Sequence, residues 1–328
     1  MRVLVGDIGG TKTLLGLVDC AGNHCTVPGK TRYISTDYDD LTPMVLQFLR
    51  DSAEPTPERA CFAVAGHVAV QPDRQQAQLT NLPWKLDSER LSKALNIPHV
   101  RLINDLESVG YGITALHQDD LITLQAGDPQ AKEPRAIIGL GTGLGETVLI
   151  WQDGQYTALP SEGGHTDFAP QDADQIGLLS ELMEEFGHVS YERLLSGSGL
   201  ARIYWYFQRR SQRPSPPEFS TPEGDVASVV SRLALSGQDP VAKQALDMFV
   251  DIFGAKSGNL ALTVLARNGV YLAGGIAPKI LPKLKDGAFI TAFNNKGRMA
   301  ALNRSIPVYV IGNPDTGLLG AALVASRL

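Results

Sequence analysis

Cysteine is scarce: the 328 residues hold three, at positions 20, 25 and 61. So thin and odd a set excludes a disulfide framework as the main source of stability. The expectation is unpaired thiols in a reducing, cytoplasmic setting. Long apolar runs are missing too. No window reaches the ~18 uninterrupted apolar residues of a spanning helix. Met1-Arg2-Val3-Leu4-Val5-Gly6-Asp7 meets an acidic residue before a signal-peptide core has formed. Positive charge is not in excess either. The net charge of −6 argues against nucleic acid or an anionic membrane as partner. With 43% hydrophobic and 20% charged residues, the composition is that of a globular protein. Its length suits two domains of ~100–200 residues.

Glycine, by contrast, is abundant: 33 residues, above the usual share of ~7%. The glycines cluster as Gly6, Gly9 and Gly10; as Gly141, Gly143 and Gly145; as Gly163-Gly164; and as Gly274-Gly275. Several clusters end short β-branched or apolar runs, which read as buried strands that turn sharply. Residues 3–5 and 12–19 form one strand–turn–strand unit, and residues 136–140 and 146–151 another. Further strands are expected at 61–65, 100–103, 121–124, 270–273 and 308–311. Helical spacing appears at 41–52, 88–95, 106–116, 177–186, 200–207, 241–266 and 316–328. Residues 214–217 and Thr221-Pro222 read as a polar loop. The mixture predicts an α/β protein with two lobes.

Five segments carry groups suited to chemistry. In Asp7-Ile8-Gly9-Gly10-Thr11, adjacent glycines let backbone N–H groups approach an anion. Asp7 stands where a carboxylate holds Mg²⁺, directly or through water. The same turn also reads as a tight glycine hairpin. Gly141-Thr142-Gly143-Leu144-Gly145 offers a second cradle, and two such turns suit a nucleotide. Ala273-Gly274-Gly275 ends a strand and opens a helix, which suits a phosphate or an adenosine, or is a plain turn. Asn104-Asp105 closes the strand 100–103. A carboxylate there serves as a general base or as the N-cap of the next helix.

The fifth segment is Glu162-Gly163-Gly164-His165, joined by Glu192 farther on. Carboxylates and an imidazole within reach of each other suit a polyhydroxylated ligand. The competing readings are a metal site, a solvated loop and, for Glu192, a surface position.

Taken in order, Asp7-Ile8-Gly9-Gly10-Thr11, Ile103-Asn104-Asp105, Gly141-Thr142-Gly143-Leu144-Gly145, Glu162-Gly163-Gly164-His165, Glu192-Arg193-Leu194-Leu195-Ser196-Gly197 and Ala273-Gly274-Gly275 closely resemble the bacterial ATP-dependent glucokinase family. The resemblance covers nearly the whole chain. It implies the two-lobed actin-like ATPase (ribonuclease H-like) sugar kinase fold. The small lobe would be residues 1–115 plus 306–328 and the large lobe 116–305, with the active site in the cleft between them. It implies transfer of the ATP γ-phosphoryl group to the 6-hydroxyl of glucose, with Mg²⁺, in a homodimer.

By the same resemblance Asp105 is the general base, and Asn104, Glu162, His165, Glu192 and Asn81 hold the sugar. Gly6, Asp7, Ile8, Gly9, Gly10, Thr11, Gly141, Thr142, Gly143, Gly274 and Gly275 surround the nucleotide. The zinc signature Cys-x-Cys-Gly-x-x-Gly-Cys of the related repressor/kinase sugar family is missing, and Thr166-Asp167-Phe168-Ala169-Pro170 follows His165 instead, so no zinc is expected. A phosphohydrolase of the same superfamily would lack a need for the sugar-facing set. A sugar-sensing regulator would need a helix-turn-helix, for which no segment is seen ahead of the first strand.

Overall fold

The computed structural model describes residues 1–328 apart from Asn23, Asp73, Thr80, Asn81 and residues 221–224. Asn81, expected at the sugar, and the Thr221-Pro222 turn lie outside the described residues. The chain forms two compact units. The first comprises Met1–Leu121, Gln152–Pro160 and Asn313–Leu328; the second comprises Ile122–Trp151 and Ser161–Gly312.

The strands that open the chain are β1 (Arg2–Ile8), β2 (Lys12–Ala21), β3 (His24–Ile34), β4 (Arg59–Val64), β5 (Gly66–Gln71), β6 (Arg74–Leu79), β7 (Lys85–Asp87) and β8 (His99–Asn104). The main sheet of the first unit runs β3-β2-β1-β4-β8, and β5-β6-β7 form a small separate one. β1 pairs antiparallel with β2, so that Ile8 faces Thr13 across the glycine turn. It pairs parallel with β4, as does β8. Period-two alternation sorts the side chains. Leu4, Ile8, Phe62 and Leu102 pack with Leu41, Val45 and Leu91 of the helices Leu41–Ser52 and Ser88–Leu95. On the opposite face Val3, Val5, Ala63 and Ile103 pack with Leu318, Ala321 and Ala322 of the helix Thr316–Ser326.

Farther along come β9 (Leu121–Gln125), β10 (Arg135–Leu140), β11 (Leu144–Gln152), β12 (Gln155–Ser161), β13 (Gly269–Ala273) and β14 (Val308–Ile311). In the second unit the order runs β11-β10-β13-β14-β9. β10 and β13 are parallel, as are β13 and β14. That pairing accounts for where residues 306–312 fall: β14 sits in the sheet of the second unit, whereas Gln152–Pro160 belong to the first. The helix Pro240–Val264 supplies much of the core, with Leu246, Phe249, Val250 and Phe253 all buried.

Two expectations need correction. Cys20 and Cys25 are disulfide-bonded, not unpaired. The β2–β3 register sets them directly opposite each other, with Cα atoms 4.2 Å apart. Cys61 is the free thiol, and burial on β4 pushes its pKa up. The helix expected at 106–116 spans Asp105–Gly112, and its cap is Asn104 rather than Asp105. The side-chain oxygen of Asn104 accepts from Leu106 N (2.9 Å) and Glu107 N (3.2 Å), while Glu107 reaches back to Asn104 N. This reciprocal capping box leaves Asp105 at the first helical position.

Candidate active site

In the first unit the parallel register does the positioning. Asp7 pairs with Ala63 and Asn104 with Val64, so β1 and β8 end together at the carboxyl edge of the sheet. Such edges line ligand sites in α/β proteins. The Asn104 amide donates to Gly66 O at 3.1 Å. Ser108, one turn into the helix Asp105–Gly112, donates to Gly317 O at 2.7 Å. The backbone carrying Asp105 is therefore held from both sides.

Loss of water pushes the Asp105 carboxyl up to about 6, and the neighbouring Asp7 charge adds to the rise. Hydrogen bonds from the backbone of Leu106 and Asp105 and from the Asn104 side chain oppose it. Asp7 is itself raised by burial, with the Lys12 charge opposing. Two buried carboxyls of raised proton affinity at a strand edge, Asp105 feeling the charge of Asp7, mark a candidate site for proton transfer or cation binding. The glycine turn beside them is braced from within. Gly9 N–H donates to Lys12 O at 3.0 Å, and the Ser35 hydroxyl donates to Gly9 O at 2.8 Å.

The second unit gathers the other polar set. Glu162 opens a short 3₁₀ turn, Gly163–His165, and Glu192 lies in another, Tyr191–Arg193. The His165 ring stands 3.9 Å from Glu162 through Nε2 and 3.8 Å from Glu192 through Nδ1. Both gaps exceed a hydrogen bond, so the three groups face one another without consuming their acceptors. The Gly141–Gly145 turn is tied to this cluster. Leu144 N donates to Glu192 Oε2 at 3.1 Å, and a Cβ on Gly143 would run into the same carboxylate. Gly141 N–H is already committed to Gly143 O at 2.9 Å. Gly274, with φ of 85°, lies against the backbone of Leu140 at the end of β10. The segment after Gly275 is a short 3₁₀ turn, Ala277–Ile280, followed by the brief helix Leu281–Leu284, not the regular helix expected there.

A family model described as Glucokinase matches residues 4–328. The chain belongs to the glucokinase family. It is 44% identical over 344 residues to a glucokinase of Nostoc punctiforme, covering 99% of each chain. Among solved structures it is similar to the glucokinase of an Antarctic psychrotroph, with 29% identity and a TM-score of 0.86 over 100% of this chain and 99% of that one. It also shares its fold with a ROK family glucokinase from Streptomyces griseus solved with glucose and AMPPNP, at 19% identity and a TM-score of 0.68, with 100% of both chains covered. The fold is thus the α/β actin-like ATPase fold of the sugar kinases.

Glucokinase membership places the polar clusters in context, but two of their members escape reading from sequence. Glu146 and Lys256 form a buried ion pair at 2.9 Å under the Glu162–His165 turn. They are 110 residues apart, on β11 and on the helix Pro240–Val264. The only available sign was a lysine within an otherwise apolar helical face. Among the described residues no group of three His, Cys, Asp or Glu side chains suits a metal ion.

Proposed function

We propose that the chain transfers the γ-phosphoryl group of ATP to the 6-hydroxyl of D-glucose, giving glucose 6-phosphate and ADP. The observation that carries the mechanism is Asp105, a carboxyl at a strand edge with its proton affinity raised to about 6. At neutral pH it is ionised yet basic enough to orient the 6-hydroxyl and take its proton, which is the balance general-base catalysis needs. Phosphoryl transfer depends otherwise on positioning and on charge stabilisation.

In this reading Asn104, Glu162, His165 and Glu192 hold sugar hydroxyls, and Asn81 borders the sugar. The turns at Gly6–Thr11 and Gly141–Gly143 hold phosphates, and Gly274-Gly275 lie near the adenosine. Backbone amides then recognise the phosphates, so the net charge of −6 is no obstacle.

Asp7, a buried carboxyl with Asp105 as its neighbour, is a hard oxygen ligand of the kind that suits Mg²⁺. Mg²⁺ keeps much of its water and is held by one or two carboxylates together with substrate phosphates. When bound, the ion neutralises charge on the nucleotide phosphates. Asp7 would hold it, directly or through water. A homodimer belongs to the same proposal.

Glu162→Gln tests the sugar assignment. The amide keeps the shape but weakens acceptance from a hydroxyl. KM for glucose is expected to rise about tenfold or more, with KM for ATP near the wild-type value. Steady-state kinetics with each substrate varied in turn gives both constants. An unchanged KM for glucose removes Glu162 from the sugar contacts.

A further inference from the structure

The Glu146–Lys256 pair is almost fully buried, with side chains 2% and 8% exposed. Nζ stands 2.9 Å from Oε1, yet Oε1 accepts no hydrogen bond of ordinary geometry; the contact is ionic. Pairs of this kind are costly to bury, and apolar substitutes of similar volume are often as stable or more so. Stability alone therefore gives no reason for the pair, and its contacts give another.

The Glu146 carboxylate presses against Gly163, where a Cβ would collide with Oε2. Lys256 Nζ donates to Thr166 Oγ1 at 3.3 Å, and that hydroxyl donates to Gly163 O at 2.8 Å. The ammonium also stands 4.9 Å from the centre of the Tyr191 ring. Asn259, nearly one turn along the same helix, donates to the Tyr191 hydroxyl at 3.3 Å. Tyr191 N–H in turn donates to Thr166 O at 3.0 Å. One helix face thus grips both segments that carry the sugar-facing groups. Glu162 and His165 flank Gly163-Gly164, and Glu192 follows Tyr191.

We propose that Lys256, braced by Glu146, is a positioning residue for hexose recognition. Through Thr166 and Tyr191 it fixes the mutual placement of Glu162, His165 and Glu192. This rests on the assignment of those three side chains to the sugar. A lysine suits the task because an ammonium offers several donors and a cation–π contact at once.

The test uses two variants of the full chain. Thr166→Val removes the hydroxyl that links Lys256 to Gly163 and leaves the ion pair intact. The paired variant Glu146→Gln/Lys256→Met removes both charges at similar volume. Both are expected to raise KM for glucose about tenfold, the worth of one hydrogen bond to a charged group, with KM for ATP within about twofold and the melting temperature of Thr166→Val unchanged. A wild-type KM for glucose in folded Thr166→Val overturns the proposal. So does an equal rise for both substrates, which a general loosening would produce. Should the paired variant fail to fold, Thr166→Val decides alone. Glu162→Gln serves as control: if it raises KM and Thr166→Val does not, positioning alone has failed. If neither raises it, the sugar assignment has failed and the proposal with it.

Discussion

Asp105→Asn is expected to lower kcat by about 10²–10⁴-fold, the loss usual when a general base is removed, while glucose still binds. The amide preserves shape and keeps an oxygen to accept from Leu106 N, as Oδ1 does now at 2.8 Å. It cannot take a proton from a hydroxyl at neutral pH. Titration calorimetry should give a glucose affinity near wild type. Stability should move the other way from activity. The Asp105 carboxyl is raised in the fold to about 6, so the folded state holds its proton more tightly than the unfolded chain. Its contribution is fully present below the unfolded value of ~3.9 and is lost as pH rises through about 6. Above that range the ionised side chain weighs against folding, and Asn removes the penalty. The variant should melt no lower than wild type at pH 8. A variant that turns over at the wild-type rate would remove Asp105 from the base role.

Asp7→Asn should also cost heavily, about 10²–10³-fold in kcat, the scale seen when one electrostatic partner of the transition state is lost. Its second effect is more diagnostic. The Asp7 charge is, after burial, the next cause of the raised Asp105 proton affinity. Removing it should shift the acidic limb of kcat/KM from near 6 in wild type toward lower pH. kcat/KM reports groups of the free enzyme, so the shift reads the pair directly. A limb that stays in place would mean that the two carboxylates do not interact as described.

Much of this was legible in the chain, for physical reasons. Residues 41–52 and 88–95 carry apolar side chains at helical spacing, and the helices Leu41–Ser52 and Ser88–Leu95 have those bounds. β1, β10 and β14 are short apolar runs, buried over much of their length, and such runs announce themselves; β8 buries only Leu102 and Ile103. β5 and β6 do not. Gly-His-Val-Ala-Val-Gln is mostly exposed and Arg-Gln-Gln-Ala-Gln-Leu mostly polar, and their pairing comes from the neighbouring strand rather than from any run of their own. Asn104 and Asp105 both satisfy the pattern of a cap. Only the backbone geometry, with Asn104 extended at φ −67° and ψ 150°, decides between them.

The polar groups that bear chemistry were legible one by one, as carboxylates and imidazole beside glycines. How they are held was not. The Glu146–Lys256 pair and the Glu192 contact to Leu144 N join residues 110 and 48 positions apart, and no local pattern records such a meeting. The cysteines failed in the same way. Five positions of separation say little until the β2–β3 register sets Cys20 and Cys25 face to face.

The central claim is that phosphoryl transfer goes to glucose. Its most direct measurement follows ADP and glucose 6-phosphate together in one reaction of the purified chain with ATP, Mg²⁺ and glucose. Both products should form in equal amounts, and ADP release should stop when glucose is left out. ADP released at the same rate without glucose, or with no sugar phosphate, would contradict that claim.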